Sequence, residues 1–307
     1  MNPAERTPVD LALLQQWQGR TERRTDLLSA APLAALAATL DRDEPMPAPG
    51  APLPPLWHWL YFTPVARQSE IGADGHPKRG GFLPPVPLPR RMWAGGRLEF
   101  LQPLLVGDAL TRDSRIVKVD SKSGRSGELV FVTLRHEYST SRGVALTEEH
   151  DIVYRSAPAP GAPAPTPQAA PDDAGFSRGI TPDPVLLFRY SALTFNGHRI
   201  HYDRPYVTQV EGYPGLIVHG PLIATLLVDL LRREMPQALL RKFTFTAIRP
   251  IFDIHSFSVC GRIEGAGSVG GADGHGATGA ARGEHKVALW ARDFEGFLAM
   301  QANAELA

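Results

Sequence analysis

The chain has 307 residues, of which 43% are hydrophobic and 21% charged. This is a globular composition, and the length is typical of two domains of about 150 residues each. Lysine plus arginine and aspartate plus glutamate each number 32, so the chain lacks the basic excess typical of a nucleic-acid-binding protein. One cysteine excludes an intrachain disulfide, no signal-peptide pattern opens the chain, and no apolar run approaches the roughly 18 residues of a membrane span. We therefore expect a cytoplasmic protein that neither crosses a membrane nor binds nucleic acid.

The N-terminal region is predicted to be helical over residues 10–40. Leucines at helical spacing begin it, and the Ala- and Leu-rich run Leu33–Leu40 strongly favours a helix. Gly19 and the polar residues after it can divide the helix in two. After a proline-rich loop, the aromatic run Pro54–Val65 is predicted to begin a buried helix. His58 in this run is either a core histidine or a contact for an acyl chain.

A long segment without periodicity, residues 69–91, is predicted to be a loop, and long ordered loops often carry function. It holds four basic residues that form a candidate phosphate-facing group, with solvated surface charge as the alternative. These residues are Lys78, Arg79, Arg90 and Arg91.

Alternating and β-branched patterns then predict successive strands with no helix between them, which indicates an antiparallel sheet. The predicted strands are Gly96–Phe100, Asp113–Val119, Glu128–Ser139 and Ala145–Arg155. The segment Ser156–Gly175 is nearly all alanine, proline and glycine, so it is predicted to be an extended linker. It separates a domain at 1–155 from a second domain at 176–307.

The second half repeats this layout. The apolar run Leu222–Leu231 is predicted to be a buried helix that starts at Gly220 and Pro221. Four antiparallel strands are predicted after it, at Lys242–Ile248, His255–Ile263, Lys286–Asp293 and Phe297–Ala304. A Gly-rich insert, Glu264–His285, is predicted to be a flexible hairpin excursion. The fold class is therefore α+β, and in each half an antiparallel sheet wraps a central helix.

Two motifs carry a family resemblance. ALTFNGHRIHYD at 192–203, followed by GYPGLIVHGPLIATL at 212–226, resembles the hydratase motif of MaoC-like double hot-dog enoyl-thioester hydratases and dehydratases. Together with MWAGGRLEFLQPLLVGD at Met92–Asp108, the pattern is similar to mesaconyl-CoA hydratases and to type 2 hydroxyacyl-thioester dehydratases. The resemblance implies a double hot-dog fold, a degenerate N-terminal domain, a catalytic C-terminal domain and a homodimer.

The resemblance also implies site residues. The family loop Asp-x-Asn-Pro-x-His supplies a catalytic pair, and its histidine falls on His201 while Asn196 occupies the aspartate position. The family element Ile-x-His-Gly opens the helix that polarises the thioester, and it matches at Ile217, His219 and Gly220. Gly220 is thereby a predicted catalytic donor and His219 a predicted substrate contact.

Asn196 changes the chemistry of the predicted site, because an amide cannot accept a proton from water. Asn196 can only orient the water, and the role of base falls on His201. Asp203 either orients His201, acts as a second acid or base, or stabilises the loop.

The predicted substrate is an α,β-unsaturated acyl-CoA. We expect the Gly220 N–H to bind the thioester oxygen while His201 takes a proton from water. A dicarboxylic acyl group would need a cation, for which Arg199, Arg204 and Arg249 are candidates, with surface solvation as the alternative for each. Arg91 is a predicted substrate-binding residue as a member of the candidate phosphate-facing group. No metal is expected, since the histidines lack ligand spacing on one helix. No cofactor is expected beyond the CoA of the substrate.

The predicted activity is that of a hydro-lyase that hydrates and dehydrates a mesaconyl-CoA-type thioester. A 3-hydroxyacyl-thioester dehydratase of fatty-acid metabolism is the alternative within the same class. An acyl-CoA thioesterase and a non-catalytic acyl-CoA-binding protein are the alternatives of another class.

Overall fold

The structure is a computed structural model that describes residues 8–124, 127–156, 166–265 and 285–307. Its helices are α1 (Leu11–Gln15), α2 (Ala30–Thr39), α3 (Pro184–Leu193) and α4 (Gly220–Glu234). Its strands are β1 (Thr21–Leu27), β2 (Arg90–Phe100), β3 (Ala109–Gly124), β4 (Gly127–Thr140), β5 (Gly143–Arg155), β6 (Phe176–Ile180), β7 (Leu240–Ala247), β8 (Phe257–Ile263), β9 (His285–Arg292) and β10 (Leu298–Leu306). None of the described helices has the length and apolar character needed to cross a membrane.

The described strands form one antiparallel sheet in the order β1-β3-β4-β5-β2-β7-β10-β9-β8-β6. Each half of the chain contributes five strands and has the same plan, one strand, then helix, then four strands. The repeated plan confirms the predicted double hot-dog architecture. The two predicted sheets are joined edge to edge, because β2 of the first half pairs with β7 of the second.

The β2–β7 junction requires glycine. Gly95 and Gly96 lie opposite Thr246 and Phe245. A Cβ on Gly95 would lie 2.6 Å from the Phe245 carbonyl oxygen, and one on Gly96 would lie 2.7 Å from the Phe245 ring. Because real Cβ atoms do not approach so closely, a side chain at Gly95 would push the two halves apart, and one at Gly96 would displace the Phe245 ring.

The central helix of the second half, α4, lies in the core. All ten residues of Leu222–Leu231 are buried, as predicted from an apolar run with no polar stripe. The helix packs against β8, β9 and β10. A single apolar cluster includes α2, α4 and strands of both halves, so the halves share one core.

The helical prediction for residues 10–40 was wrong in its middle. The segment Thr21–Leu27 is a strand that pairs with β3, from Thr21 opposite Arg115 to Leu27 opposite Ala109. It lies at the edge of the sheet, and its side chains alternate between exposed and half-buried. Its sequence TERRTDL therefore has no apolar alternation, so only pairing with β3 identifies it as a strand.

The prediction that a helix begins in Pro54–Val65 was also wrong. Only a single 3-10 turn forms, Trp57–Leu60, and Leu56 before it has a left-handed backbone. Trp57, Tyr61 and Phe62 are buried, as the composition indicates, but they extend from the turn and the loop after it. The first half therefore uses the short α2 as its central helix.

Parts of the linker and of the Gly-rich insert, residues 157–165 and 266–284, lie outside the described residues. The described end of the linker runs along the second half. The Gln168 carbonyl accepts a hydrogen bond from Leu298 N at 2.8 Å, and Gly175 N donates to the Gly261 carbonyl at 2.9 Å. The domain boundaries remain predictions.

A buried carboxylate on α4 connects the two central helices. Asp229 is 1% exposed, and its oxygens lie 2.7 Å from Arg42 Nη1, 2.8 Å from Arg233 Nε and 3.1 Å from Arg178 Nη1. Arg178 and Arg233 also donate to the Leu40 carbonyl, which follows the last residue of α2. This carboxylate therefore fixes α4 against the end of α2.

Replacing Asp229 should strongly destabilise the protein, because three arginines would lose their common partner in a buried site. We expect Asp229→Ala to lower the free energy of unfolding by about 3–5 kcal/mol, measured by urea denaturation followed by circular dichroism. Asp113→Ala, which removes an exposed ion pair with Arg23, is the matched control and should change stability little. Equal effects of the two substitutions would contradict this account.

Candidate active site

Two pockets lie where the two halves meet. The larger has a volume of about 640 Å³ and the smaller about 350 Å³. Six residues from both halves line both pockets, so the pockets adjoin along one shared wall. These residues are His76, Arg91, Trp93, His150, Asn196 and Pro221. We call the two pockets together the cleft.

His201 faces the smaller pocket from the 3-10 turn Arg199–His201. Its Nδ1 lies 2.7 Å from the Ile217 carbonyl oxygen, which can only accept, so Nδ1 carries the hydrogen. Nε2 is therefore left with a free lone pair. Burial lowers the pKa of His201 to about 4, although the hydrogen bond to Ile217 opposes that shift. His201 is thus a neutral imidazole at neutral pH.

His219 lies behind His201 and not in the cleft. Their rings stack with centroids 3.7 Å apart and planes 17° apart. His219 is 0% exposed, lines neither pocket, and its Nε2 lies 2.8 Å from Ser191 Oγ. This differs from the predicted substrate contact, because the ring turns inward at the start of α4, whereas the next residue, with Pro221 after it, lines the cleft.

Gly220 is that next residue and the first residue of α4. It lines the smaller pocket, and a Cβ placed on it would meet no atom within 4 Å. The first N–H groups of a helix have no partner inside the helix and carry its positive dipole end. This position therefore offers a backbone donor and open space for a ligand oxygen.

Asn196 lines both pockets. Its Oδ1 accepts a hydrogen bond from His198 N at 3.0 Å, which leaves the side-chain amide hydrogens for the cleft. Its backbone N donates to the Ser191 carbonyl at 2.8 Å, and the preceding Phe195 has a left-handed φ of 50°. The loop thus holds Asn196 at the cleft as a donor.

Asp203 and Arg199 are directed at each other and line neither pocket. Arg199 Nη2 lies 2.7 Å from Asp203 Oδ2, and Arg199 also stacks on Tyr206. Asp203 Oδ1 accepts from Tyr206 N at 3.1 Å. Of the three roles predicted for Asp203, its contacts fit stabilisation of the loop. The pairing with Asp203 also directs Arg199 away from the cleft, where it was predicted to contact the substrate.

The other predicted cations differ in their partners. Arg249 lines the smaller pocket, but its Nη1 lies 2.9 Å from Asp293 Oδ2, and Arg204 pairs with Asp253. Arg91 lines both pockets, and no ion pair with a carboxylate forms on it within the described ranges. Among the predicted substrate-binding arginines in the described residues, Arg91 is therefore the one whose charge no carboxylate neutralises.

A second polar pair, Asp74 and His76, reaches the cleft from the loop before β2. His76 Nδ1 lies 3.0 Å from Asp74 Oδ2, and His76 N donates to Asp74 Oδ1 at 3.0 Å. Burial alone would raise the pKa of Asp74, but these hydrogen bonds hold it well below its usual range.

Asp74, His76 and His198 place potential ligand atoms within 4.8 Å of one another. Both oxygens of Asp74 and the Nδ1 of His76 are already engaged in their mutual hydrogen bonds. We therefore assign no metal to this group.

The larger pocket has a buried polar wall. Glu148 is 2% exposed and accepts from Tyr138 at 2.9 Å and from Trp59 at 3.1 Å, while His58 Nε2 lies 3.1 Å away. Burial opposes ionisation of Glu148, but the bond from His58 and nearby histidines lower its pKa to about 2. His58 is thus both a core histidine and part of the pocket wall.

Apart from His58, neither this wall nor the Asp74–His76 pair was predicted from the sequence. On β4 and β5, polar residues occupy the inward positions of the alternation, with His136 opposite Glu148 across the two strands. Polar residues at every second position of these strands, on the side that faces the core, were the signal in the sequence that could have indicated this wall. For His76 the only signal was its position in a long loop.

Comparisons with known proteins identify the family of the chain. Residues 56–253 match the family described as hydroxyacyl-thioester dehydratase type 2. The chain is similar to the mesaconyl-C(4)-CoA hydratase of Chloroflexus aurantiacus, with 49% identity over 250 residues that cover 81% of this chain and 89% of that protein.

Two solved structures share the fold. A MaoC-like dehydratase from Phytophthora capsici superposes with a TM-score of 0.63 at 15% identity, covering 97% of this chain and 99% of the other. A Mycobacterium tuberculosis protein with a double hotdog fold gives 0.56 at 16% identity, covering 94% and 96%. With the family match over 56–253 and the 49% identity, these findings show that the chain belongs to the hydroxyacyl-thioester dehydratase type 2 family and has the MaoC-like double hot-dog fold.

Proposed function

We propose that this protein is a hydro-lyase that reversibly adds water to an α,β-unsaturated acyl-CoA, with a mesaconyl-C4-type thioester as its substrate. The observation that carries the proposal is the bonding of His201. Its Nδ1–H is held by the Ile217 carbonyl, so Nε2 is free to accept a proton beside the first residue of α4. The similarity to a mesaconyl-C(4)-CoA hydratase supports the substrate class.

The helix start supplies the electrostatic part of the mechanism. Addition of water to the β carbon pushes negative charge onto the thioester oxygen, which becomes enolate-like in the transition state. The Gly220 N–H at the N-terminus of α4 donates to that oxygen. A fixed donor and helix dipole in a partly buried cleft stabilise such charge without reorganising.

His201 supplies the proton chemistry at the β carbon. Asn196 donates an amide hydrogen that orients the water, and Nε2 of His201 takes the proton as the C–O bond forms. The stacked His219 fixes the plane of the His201 ring. In dehydration, the same nitrogen returns the proton to the leaving hydroxyl.

The terminal carboxylate of a dicarboxylic acyl group requires a cation, and Arg91 is the proposed one. It borders both pockets, so a ligand in either can reach it. A guanidinium grips a carboxylate with two hydrogen bonds, and the energy is larger where water is partly excluded.

The second candidate is a 3-hydroxyacyl-thioester dehydratase acting on acyl groups without a second carboxylate. The family description favours it, since the match over 56–253 is to dehydratases. It uses the same residues in the reverse direction and makes no use of Arg91.

The proposed assembly is a homodimer, and the proposed compartment is the cytoplasm. The family resemblance supports the first. The single cysteine, Cys260, is buried and unpaired, which supports a reducing compartment. The proposed reaction uses no cofactor beyond the CoA of the substrate.

Removing His201 should abolish hydration. We expect His201→Ala to lower kcat/KM by about 10²- to 10⁴-fold, the usual contribution of a positioned general base. The assay follows loss of the enoyl absorbance with thioesters that carry or lack a terminal carboxylate. Release of free CoA is measured in parallel, and CoA release without enoyl loss would instead identify a thioesterase.

His255→Ala is the matched control, because His255 is exposed and stacks on Phe294 outside the cleft. Near wild-type turnover by His201→Ala would overturn the assignment of the base.

The acid limb of the hydration profile should lie well below the usual pKa of histidine. Since burial lowers the pKa of His201 to about 4, the neutral base persists as the pH falls through 6.5 and is lost near 4. We expect log kcat/KM to decline on the acid side near pH 4, with folding at each pH checked by circular dichroism. An acid limb near pH 6.5 would contradict a buried His201 as the base.

Neutralising Arg91 should select between the two substrate classes. We expect Arg91→Gln to raise KM about tenfold or more, roughly 1.4 kcal/mol or above, for the dicarboxylic thioester only. Arg97→Gln on the same strand is the control, since Arg97 is bound to Glu149 and Asp151 outside the cleft. Equal effects on both substrates would argue against a carboxylate at Arg91.

A further inference from the structure

The proposed reaction moves two protons, so it calls for two acid–base groups at the cleft. Water must lose a proton at the β carbon, and the α carbon must gain one. Asn196 occupies the family's carboxylate position and cannot titrate. His198 and His201 are the imidazoles of that loop that line the cleft, and burial beside His76 and His201 lowers the pKa of His198 to about 2, which makes His198 too weak a base to share the proton transfers. A second acid–base group has to come from elsewhere in the fold.

The loop of the first half that carries His76 is fixed against the catalytic loop. Arg199 N donates to the Asp74 carbonyl at 2.9 Å, and Arg199 Nη1 donates to the Ala73 carbonyl at 2.9 Å. Gly75 approaches Gly197 so closely that a Cβ on Gly75 would lie 1.8 Å from the Gly197 oxygen. Contact with the second half therefore sets the position of this loop.

The loop is also rigid within itself. Gly72 N donates to the His76 carbonyl at 2.7 Å, and Gly75 N donates to the Gly72 carbonyl at 3.0 Å. Ile71 and Pro77 form an isolated antiparallel bridge. Backbone contacts thus hold His76 on both sides. Such support is needed if one ring atom is to be presented to a substrate in a fixed position.

His76 has the bonding of an oriented acid–base group. Its Nδ1–H donates to the ionised Asp74, so Nε2 is the atom that exchanges a proton. His76 lines both pockets beside Asn196. Burial lowers the pKa of His76, and Asp74 counteracts that shift, whereas His201 has only a neutral carbonyl to counteract it.

The charged and titratable groups facing His76 are few. Asp74 is hydrogen-bonded to His76, and Arg79 and Arg91 lie near it. The ring centroids of His198 and His76 are 4.0 Å apart. His198 in turn meets His201 edge-on at 5.4 Å. The three imidazoles therefore form a line from one half of the protein to the other, with the carboxylate at its first-half end.

We propose that His76, oriented by Asp74, is the second catalytic acid–base residue and exchanges the proton at the α carbon, while His201 exchanges the proton of the water. The assignment rests on the proposed function. A carboxylate-supported imidazole is the stronger base and suits removal of the weakly acidic α proton. The more acidic His201 imidazolium suits protonation of the leaving hydroxyl.

The proposed hydration step conserves protons and electrons. In hydration, water forms a C–O bond to the β carbon and its broken O–H bond leaves a proton on His201. The π electron pair moves toward the thioester oxygen and then forms a C–H bond at the α carbon, with the proton of the His76 imidazolium. One proton then passes from His201 to His76 through solvent, and no redox partner is needed.

The test compares His76→Gln, Asp74→Asn and His76→Ala with wild type, using the full chain and the thioester that gives the highest turnover. We expect His76→Gln to lower kcat by about 10²-fold or more with a smaller change in KM. The deuterium isotope effect from the α position should rise in dehydration, because proton abstraction becomes rate-limiting. Imidazole added to His76→Ala should restore part of the rate.

Asp74 acts through His76, so its substitution should move a pH profile. Loss of the carboxylate lowers the pKa of His76, and the alkaline limb of hydration, which needs the imidazolium, should shift to lower pH in Asp74→Asn. His255→Gln is the control for an exposed histidine, and thermal unfolding checks that each variant is folded.

Several results would overturn the assignment. One is a folded His76→Gln with turnover within about threefold of wild type while His201→Ala is inactive, and this result would leave the proposed function intact. Another is a rate loss in His76→Ala that imidazole does not restore, together with an unchanged isotope effect. A stoichiometric metal in the purified enzyme whose removal abolishes activity would also overturn it. If wild type hydrates none of the thioesters, the proposed function itself fails.

Discussion

The pairing of β2 with β7 is the contact on which the cleft depends. It joins two five-stranded halves into one sheet, and it requires glycine at positions 95 and 96, where a side chain would collide with Phe245. Because β2 continues N-terminally from this junction, Arg91 and Trp93 lie beside the start of α4. The first half, which lacks the hydratase motif, thereby contributes Arg91, Trp93 and the loop of His76 to the cleft.

The cleft combines groups with opposite electrostatic environments. His201 and His219 are buried with neutral partners, and burial lowers the pKa of both. Glu148 is equally buried but stays ionised, because three donors surround it. Neutral imidazoles, a fixed carboxylate and Arg91, which pairs with no carboxylate among the described residues, are what the proposed reaction needs for proton transfer and for binding of an anionic group.

Local pattern predicted much of the fold because apolar periodicity reports burial directly. The ten-residue run of α4 and the alternating strands of both halves are where the pattern predicts them. β1 was missed because an edge strand with two polar sides has no apolar alternation. The run Pro54–Val65 is apolar enough for a core helix but folds as a loop, because α2 already occupies the place of the central helix.

The sequence by itself determined the family, the repeated architecture and the loop from which His201 and Asn196 reach the cleft, since these depend on contiguous motifs. Only the tertiary structure decided which side chains face the cleft. It turned His219 inward, paired Arg199 with Asp203, left Arg91 without a carboxylate partner and brought His76 to the cleft from more than a hundred positions earlier in the chain. The physical reason is that orientation and ion pairing depend on contacts between distant segments, and the spacing of residues along the chain does not encode those contacts.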